Sequence, residues 1–276
     1  MKIIDCFLFF NEIDLLKLRL KELNDVVDHF VLVESTKTFS NKEKPLFYDR
    51  NKGIFEKHHD KIIHLVCNKM PPNRIWRSKR RSAWKRQEIQ RNFLAKGIKE
   101  LSPSNDDLII LSDVDEIPDS QTLLELKNSR FSSLANLEQD LYYYNITCRH
   151  EDKWHLALIS SYGNLIPYLN SLHQLRIDRS HPNITSIIPK GGWHFSYFGG
   201  VDAIINKIKN LSAHTEIDRP EITNPEKIQK LVSERQDILL RGETFEFIEP
   251  QHDDLHDISS AKLNQAVSHL RSIGEE

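Results

Sequence analysis

The sequence predicts an α/β fold built on a doubly wound, mainly parallel β-sheet with a smaller mixed or antiparallel second half. Short apolar runs alternate with segments of helical periodicity over the first 125 residues, as in parallel strands joined by helices. Beyond that point the apolar runs are rich in aromatic and β-branched residues, which favour strands. No internal repeat and no clear linker interrupts the chain, so we expect one domain over residues 1–276.

The first half supplies strands and helices in alternation. Runs of strand length are apolar, and the two longer segments place apolar residues at helical spacing. The predicted elements, in order, are a strand at 2–9, a helix at 15–23, strands at 30–34 and 62–66, a helix at 84–101 and a strand at 108–111.

The second half has a different pattern of predicted strands and helices. We expect it to extend from 126 to 250, with an acidic, His-rich tail at 251–276 that becomes helical near its end. The predicted elements are a helix at 123–127, strands at 140–148 and 154–159, a glycine-bracketed aromatic segment at 191–200, and helices at 202–211 and 224–240.

The composition excludes several classes of protein. A net charge of -2 does not suit a general nucleic-acid binder. Three separated cysteines supply neither a disulfide framework nor a zinc-type pair. The glycine-rich loops of P-loop and dinucleotide-binding proteins are missing, as are G-x-S-x-G and H-E-x-x-H. P-loop kinases, dinucleotide oxidoreductases, serine hydrolases and zincins therefore lack support.

An apolar run ends abruptly in acidic residues at Asp113-Val114-Asp115-Glu116, directly after the strand predicted at 108–111. At the carboxyl end of a strand in an open α/β sheet, such side chains face the crevice that binds ligands. Buried carboxylates need a cation or hydrogen-bond donors, and Mg²⁺ and Mn²⁺ prefer oxygen ligands. The pattern predicts a metal site with Asp115 as the main ligand and Asp113 in support. A solvated loop with a capping aspartate is the alternative.

Residues 74–91 carry eight basic residues and one acidic residue, with two tryptophans between them. Three interpretations fit this segment: a solvated helix face, a surface for nucleic acid or another anionic polymer, and a site for a nucleotide diphosphate or an anionic lipid-linked acceptor. Its position just before the strand that ends in these acids favours the interpretation as a diphosphate site. A non-catalytic protein that binds an anionic polymer through residues 74–91 is the rival function.

The glycine-bracketed segment 191–200 contains Trp193, His194 and further aromatic residues. Glycine lets the backbone approach a ligand closely, and flat aromatic rings suit a sugar. His194 is a candidate metal or phosphate ligand, with a purely structural histidine as the alternative. For His214 and Glu216, contact with acceptor or phosphate competes with a surface loop.

Several segments carry a resemblance to a known family: residues 5–16, 31–36, Trp84, Glu88, 90–92, 111–118, 192–196, and His214 with Glu216. Together, and in this order, they resemble glycosyltransferase family 17. The resemblance extends over about residues 3–216. It implies a GT-A-type fold, a nucleotide-sugar donor, and an inverting transfer that forms a β-linkage. UDP-GlcNAc is the donor it favours.

The resemblance also implies roles for individual side chains. Mn²⁺ or Mg²⁺ would neutralise charge on the leaving diphosphate. The expected metal ligands are Asp113, Asp115 and His194. Further donor-binding residues would be Glu12 and Glu34 on the nucleotide, Arg86 and Arg91 on the diphosphate, and Asp113. An inverting reaction needs a general base for the acceptor hydroxyl. The candidates, with the first ranked highest, are Asp202, Glu216 and Glu116.

The resemblance assigns donor binding to residues 1–125 and acceptor binding to residues 126–250. No apolar run is long enough to cross a bilayer, and no signal-peptide pattern is present. Because the cysteines also suit a reducing compartment, we expect a cytoplasmic enzyme, with peripheral membrane contact left open. The expected acceptor is a glycan, a surface polysaccharide or a lipid-linked saccharide, and no nucleic-acid partner is expected.

Overall fold

Ten strands join into one curled, mixed β-sheet in the computed structural model. Within the described part of the chain, no helix combines the length and the apolar character needed to cross a bilayer. The described residues are 1–73, 78–178, 180–184, 186–210, 220, 222–239, 241–243 and 245–248.

The strands are β1 (Ile3–Phe9), β2 (His29–Ser35), β3 (Ile62–Cys67), β4 (Leu108–Asp113), β5 (Glu116–Pro118), β6 (Leu134–Tyr143), β7 (Cys148–His150), β8 (Leu158–Ser161), β9 (Ser186–Ser196) and β10 (Phe245–Phe247). The helices are α1 (Ile13–Leu23), α2 (Phe47–Arg50), α3 (Lys79–Asn92), α4 (Leu94–Glu100), α5 (Ser120–Asn128), α6 (Tyr162–Leu165), α7 (Leu172–Ile177), α8 (Gly200–Asn210) and α9 (Pro225–Ser233). Two 3₁₀ helices occur at Lys52–Lys61 and Ile166–Tyr168.

The sheet changes character after β4. The neighbours β3, β2, β1 and β4 are parallel, but β8 is antiparallel to both β4 and β6. The strand β6 then pairs parallel with β9 and antiparallel with β7, while β5 and β10 add antiparallel pairs. The α/β class is confirmed, but the prediction of a mainly parallel sheet is wrong. Short connections such as residues 144–147 return the chain antiparallel, whereas a parallel return needs a long crossover.

Helices cover both faces of the parallel region. Successive residues of a strand point to opposite faces, and β1 is apolar on both. Ile3, Phe7 and Phe9 pack in the cluster that contains three leucines of α1. Ile4 and Leu8 pack in the opposite cluster, which contains the apolar residues of α4. This burial on two sides explains why β1 to β4 read as nearly continuous apolar runs in the sequence.

One acidic residue interrupts the apolar pattern of β1. Asp5 is fully buried, and so is its partner Arg19 on α1. Nε of Arg19 donates to Oδ2 of Asp5 at 2.7 Å, and Nη2 donates to Oδ1 at 2.6 Å. This two-point contact matches the planar fork of a guanidinium to a carboxylate. It joins the first strand to the first helix inside the protein.

The same arginine holds the turn that follows β4, residues 113–116, which we call the acidic turn. Nη1 of Arg19 donates to the carbonyl oxygens of Asp113 and Glu116 at 2.9 and 2.7 Å. Nη2 donates to Oγ of Ser112 at 2.6 Å. The backbone from 112 to 116 is therefore fixed by a side chain whose charge is balanced by Asp5.

We expect Arg19→Met to lower the free energy of unfolding by about 3–5 kcal/mol, because it leaves Asp5 buried without its partner. Urea denaturation measures this change. Lys17→Met is the matched control: Lys17 lies on the same helix, but its pair with Asp14 is exposed to solvent. Its expected loss is below about 1 kcal/mol. Similar losses for the two variants would contradict the role of Arg19.

Candidate active site

A cavity of about 320 Å³ opens at the carboxyl ends of β1 and β4. Its walls come from the β1–α1 connection, the segment 37–44, α3, the acidic turn, β9 and α8. A crevice at this edge of the sheet is where open α/β proteins bind ligands. Its lining includes Phe10, Glu12, Lys44, Trp84, Arg91, Asp113, Asp115, Arg176, His194 and Lys207.

Asp113 lies between two arginines. Its Oδ1 accepts a hydrogen bond from Nη2 of Arg91 at 2.5 Å, and its Oδ2 lies 3.2 Å from Nη2 of Arg176. Burial by itself raises the pKa of Asp113, but Arg176 and Arg91 outweigh that effect and hold the pKa below its usual value. Asp113 is therefore an anion whose charge is compensated within the protein.

Asp115 has a different pair of basic neighbours. Nζ of Lys207 donates to its Oδ2 at 2.7 Å, and Nε2 of His194 lies 3.6 Å from the same oxygen. Burial raises the pKa of Asp115, but Lys207 and His194 outweigh it and hold the pKa far below its usual value. The sequence distance between Asp115 and Lys207 means that this contact joins the two halves of the chain.

Glu116 connects the acidic turn to the second half of the sheet. Its carboxylate pairs with Arg176, accepts from Nε1 of Trp154 at 2.7 Å, and accepts from the backbone N–H of Asp113 at 2.8 Å. The residue is only 1% exposed. Because both carboxylate oxygens are engaged, the geometry favours a positioning role over that of the general base.

β9 brings His194 to the cavity. The antiparallel pairing of β5 and β9 sets His194 opposite Glu116, and its ring centroid lies 4.5 Å from that of Trp154. Nδ1 of His194 is buried and has no hydrogen-bond partner among the described residues. An unpaired buried polar atom is costly, and a ligand that supplied a partner would remove the cost.

Gly192 permits the close approach of β9 to β5. Its φ is +126°, a value that side chains rarely adopt, and an added Cβ would lie 2.1 Å from the carbonyl oxygen of Ile117. A glycine at this position lets the backbone pass close to β5 and continue to His194. The glycine that bracketed the aromatic segment in the sequence is thus a packing requirement of the strand pair.

Glu12 lies in the cavity at the start of α1. Its Oε2 accepts hydrogen bonds from the backbone N–H groups of Phe10 and Asn11 at 3.2 and 3.0 Å. Burial raises the pKa of Glu12, although Lys207 acts in the opposite direction. The predicted place of Glu12 beside the ligand crevice agrees with this geometry.

Glu34 lies at the end of β2 but does not line the cavity. Its fully buried carboxylate pairs with Lys44 at 3.0 Å and accepts from the backbone N–H groups of Phe47 and Tyr48. These donors occupy the carboxylate, and the contact with ribose or uracil stays a prediction. Glu34 fixes the start of α2 and orients Lys44, which does line the cavity.

Arg86 is also placed away from the cavity. Its guanidinium donates to the carbonyl oxygens of Phe39 and Pro71 at 2.7 and 3.1 Å and to Oδ1 of Asn73 at 2.9 Å. Arg86 ties α3 to two neighbouring loops, and its diphosphate role stays a prediction. Arg91, on the same helix, is the arginine that reaches the cavity.

The basic segment does not form one continuous surface. Arg80 and Arg81 are exposed at the start of α3, whereas Arg86 and Arg91 are buried. Residues 74–77 lie outside the described residues. The segment therefore divides between solvent, loop anchoring and the cavity, which weakens its interpretation as a polymer-binding face.

The predicted general bases fall in three different places. Asp202 is exposed in the first turn of α8 and does not line the cavity, whereas Lys207 of the same helix does. This placement gives no support to the first rank of Asp202, whose role stays a prediction. Glu216, with His214, lies outside the described residues, as do residues 251–276, so their roles stay predictions.

Three important basic residues were not singled out for the site from the sequence: Arg19, Arg176 and Lys207. Arg176 and Lys207 are the positive partners of acids that the sequence indicated, and Arg19 holds the backbone of the acidic turn. Arg19 and Arg176 stand among leucines on amphipathic helices, at buried positions of α1 and α7. A basic residue on the apolar stripe of a helix is the signal that could have found them, since an arginine is seldom buried without a partner.

The side chains as arranged do not fit a divalent metal. Both oxygens of Asp113 contact arginines, and Oδ2 of Asp115 contacts Lys207. Among the described residues, no group of three or more His, Cys, Asp or Glu side chains is placed to hold a metal ion. Mn²⁺ or Mg²⁺ would have to compete with cations that already occupy these oxygens.

The fold and the cavity define an α/β protein with a charged ligand site at the carboxyl ends of parallel strands. The family model of glycosyltransferase family 17 matches residues 1–265, and the chain belongs to this family.

The curated relatives share a shorter region. The β-1,4-mannosyl-glycoprotein 4-β-N-acetylglucosaminyltransferases of Homo sapiens and Rattus norvegicus are each 34% identical over 123 residues, which cover 42% of this chain and 22% of theirs. The match thus spans about a fifth of the length of these relatives. Among solved structures, HddC from Yersinia pseudotuberculosis is 10% identical with a TM-score of 0.39, over 69% of this chain and 91% of that one.

We expect Gly192→Ala to destabilise the protein by about 2 kcal/mol or more, because the new Cβ collides with β5 and the backbone angle becomes strained. Thermal unfolding followed by circular dichroism measures the effect. Gly53→Ala is the control, since its Cβ would meet no atom within 4 Å and its φ is ordinary. Equal melting temperatures for the two variants would show that β9 does not need this close approach.

Proposed function

We propose that this protein transfers a sugar from a nucleotide-diphosphate donor to a hydroxyl group of a glycan or lipid-linked saccharide, with inversion and a β-linkage. Membership of glycosyltransferase family 17 supports the reaction class. UDP-GlcNAc is the proposed donor, because the curated relatives are named as N-acetylglucosaminyltransferases. A GT-A-type arrangement, with donor binding in residues 1–125 and acceptor binding in 126–250 of a single domain, is part of the proposal.

The observation that carries the proposal is a set of buried side-chain nitrogens without partners, on residues that line the cavity. Nε of Arg91 and Nε of Arg176 are buried donors with no hydrogen-bond partner among the described residues, and Nδ1 of His194, whose role as donor or acceptor depends on the tautomer, has none either. All three residues line the same cavity. Buried donors without partners are costly, and phosphate oxygens are strong acceptors for guanidinium groups. A diphosphate is the ligand whose charge and oxygens suit this wall.

In the proposed reaction, the cationic wall stabilises the diphosphate as it leaves. Negative charge grows on the leaving group when its bond to the sugar breaks, so fixed positive groups act most strongly in the transition state. Arg91, Arg176 and Lys207 are held in place by Asp113, Glu116 and Asp115. The carboxylates thereby orient the cations before the donor arrives.

Aromatic residues of the cavity suit the sugar and the acceptor. Tyr143 on β6, Trp154 between β7 and β8, and Tyr197 directly after β9 line the cavity. Aromatic rings offer flat apolar faces, and a tyrosine adds a hydroxyl at its edge. These residues belong to the second half of the chain, which agrees with its proposed role in acceptor binding.

Glu12 is the proposed general base. Among the cavity carboxylates, Asp113, Asp115 and Glu116 each have a direct ion pair within 3.2 Å, whereas the described hydrogen bonds of Glu12 come from backbone N–H groups. A raised pKa makes its carboxylate a better proton acceptor than an ordinary glutamate.

We also propose a cytoplasmic location. Cys6, Cys67 and Cys148 are all free and buried, which suits a compartment in which thiols stay reduced. Peripheral contact with a membrane that presents a lipid-linked acceptor is compatible with this location.

A thermal-shift panel of nucleotide sugars tests the function. We expect UDP-GlcNAc to raise the melting temperature by several degrees at saturating concentration, because a ligand of the native state stabilises it. Arg91→Leu should lose the shift, since it removes a cavity cation. Arg81→Leu, an exposed change on the same helix, should keep it. No shift with any nucleotide sugar, together with salt-sensitive binding of polyanions, would favour the rival binding function.

Glu12→Gln tests the general base. We expect the rate of sugar transfer to fall by about 10²–10⁴ while donor binding persists. In the unaltered protein the rate should decline as the pH drops through the raised pKa of Glu12, because protonation removes the base. That acidic limb should be missing from the residual activity of the variant. Asp14→Asn, an exposed change on the same helix, is the control. An unchanged rate in Glu12→Gln would exclude this role.

A further inference from the structure

Lys207 occupies an unusual position for a lysine. Its side chain is 18% exposed, its Nζ lies 2.7 Å from Oδ2 of Asp115, and it lies 5.2 Å from the ring centroid of Tyr197. These contacts hold its ammonium group at a fixed place inside the cavity.

Each acid of the turn at residues 113–116 contacts a basic side chain. Asp113 contacts Arg91, Glu116 contacts Arg176, and Asp115 contacts Lys207. A metal site built on paired aspartates needs carboxylate oxygens that are free to coordinate, because a hard cation requires several oxygen ligands. Here Oδ2 of Asp115 contacts the ammonium group of Lys207 instead.

We propose that this protein binds the diphosphate of its donor without a divalent metal, and that the ammonium group of Lys207 supplies the positive charge beside Asp115. The inference rests on the proposed function, because it concerns how the same site holds a nucleotide diphosphate. Lys207 donates N–H groups to the phosphate oxygens, and Asp115 keeps the ammonium in place. Arg91 and Arg176 complete the cationic wall on the side of Asp113.

Lys207 lies at a position that a metal would otherwise take. Asp115 and His194 are the two predicted metal ligands that meet there, 3.6 Å apart. Removing the lysine side chain leaves an aspartate, a histidine and open space in the cavity. A metal ion then has room to bind between these two side chains, so Lys207→Ala tests the proposal directly.

Titration calorimetry with UDP, in EDTA and in MnCl₂, provides the first measurement. The unaltered protein should bind UDP with the same affinity in both buffers. In EDTA, Lys207→Ala should lose at least about tenfold in affinity, and Mn²⁺ should restore part of the loss. Lys209→Ala is the matched control: Lys209 is exposed on the same helix, and its removal should change neither value.

Electron paramagnetic resonance of Mn²⁺ gives a readout that does not depend on a nucleotide. The signal of free Mn²⁺ should persist when the unaltered protein is added and should decrease when Lys207→Ala is added. Lys207→Met, which keeps the apolar stem and fills the space, should behave like the unaltered protein towards Mn²⁺. Circular dichroism melts establish that each variant is folded.

The outcomes separate the inference from the function on which it rests. If the unaltered protein binds UDP only with Mn²⁺, the metal-independent site is overturned and the proposed sugar transfer stands. If neither UDP nor any nucleotide sugar binds in either buffer, the proposed function fails, and the inference fails with it. Equal affinity in EDTA and MnCl₂, lost in Lys207→Ala, supports both.

Discussion

Arg19 lies where α1, β1 and the acidic turn meet, and the rest of the site depends on how this buried cation is satisfied. Asp5 balances its charge, and the remaining guanidinium N–H groups fix the backbone from 112 to 116. A guanidinium buried at 0% exposure tolerates little movement, because each lost hydrogen bond leaves a charged donor unpaired. The turn is thus oriented from behind, by residues that never face a ligand. The positions of the side chains that line the cavity depend on this turn.

The acids of the turn form ion pairs with basic side chains and are not a cluster of unpaired carboxylates. Asp113, Asp115 and Glu116 each meet a cation from a separate helix, namely α3, α8 and α7. Such pairing makes the burial of six charged groups tolerable, because neither partner is left uncompensated in a medium of low dielectric constant. It also fixes the geometry of the cations before any ligand binds. Preorganised charge of this kind is what electrostatic catalysis requires, since the protein need not rearrange while the reaction proceeds.

The sequence predicted the parallel half of the fold and the position of the acidic turn at the end of a parallel strand, because both depend on local patterns. Buried strands appear as apolar runs, and acids at the end of such a run mark the ligand edge of a sheet. The register of β6, β8 and β9 depends on contacts distant in the sequence, so the mixed half could not be foreseen. The helix predicted at 84–101 divides at Phe93 into α3 and α4. Arg86 and Arg91 look equivalent in the sequence, as do two charged residues of α8, Asp202 and Lys207. Five residues turn a helix by about 140°, so only one member of each pair faces the cavity.

The pairing of Asp115 with Lys207 spans 92 positions of the chain, and that of Glu116 with Arg176 spans 60. These contacts close over the boundary between the parallel half and the mixed half. The acidic turn can form these ion pairs only after chain segments far along the sequence have been synthesised. Contacts between residues so far apart in the sequence form slowly. The acidic turn therefore does not reach its charge balance within the first half of the chain alone. It needs basic residues of α7 and α8, which ties the geometry of the cavity to the completion of the fold.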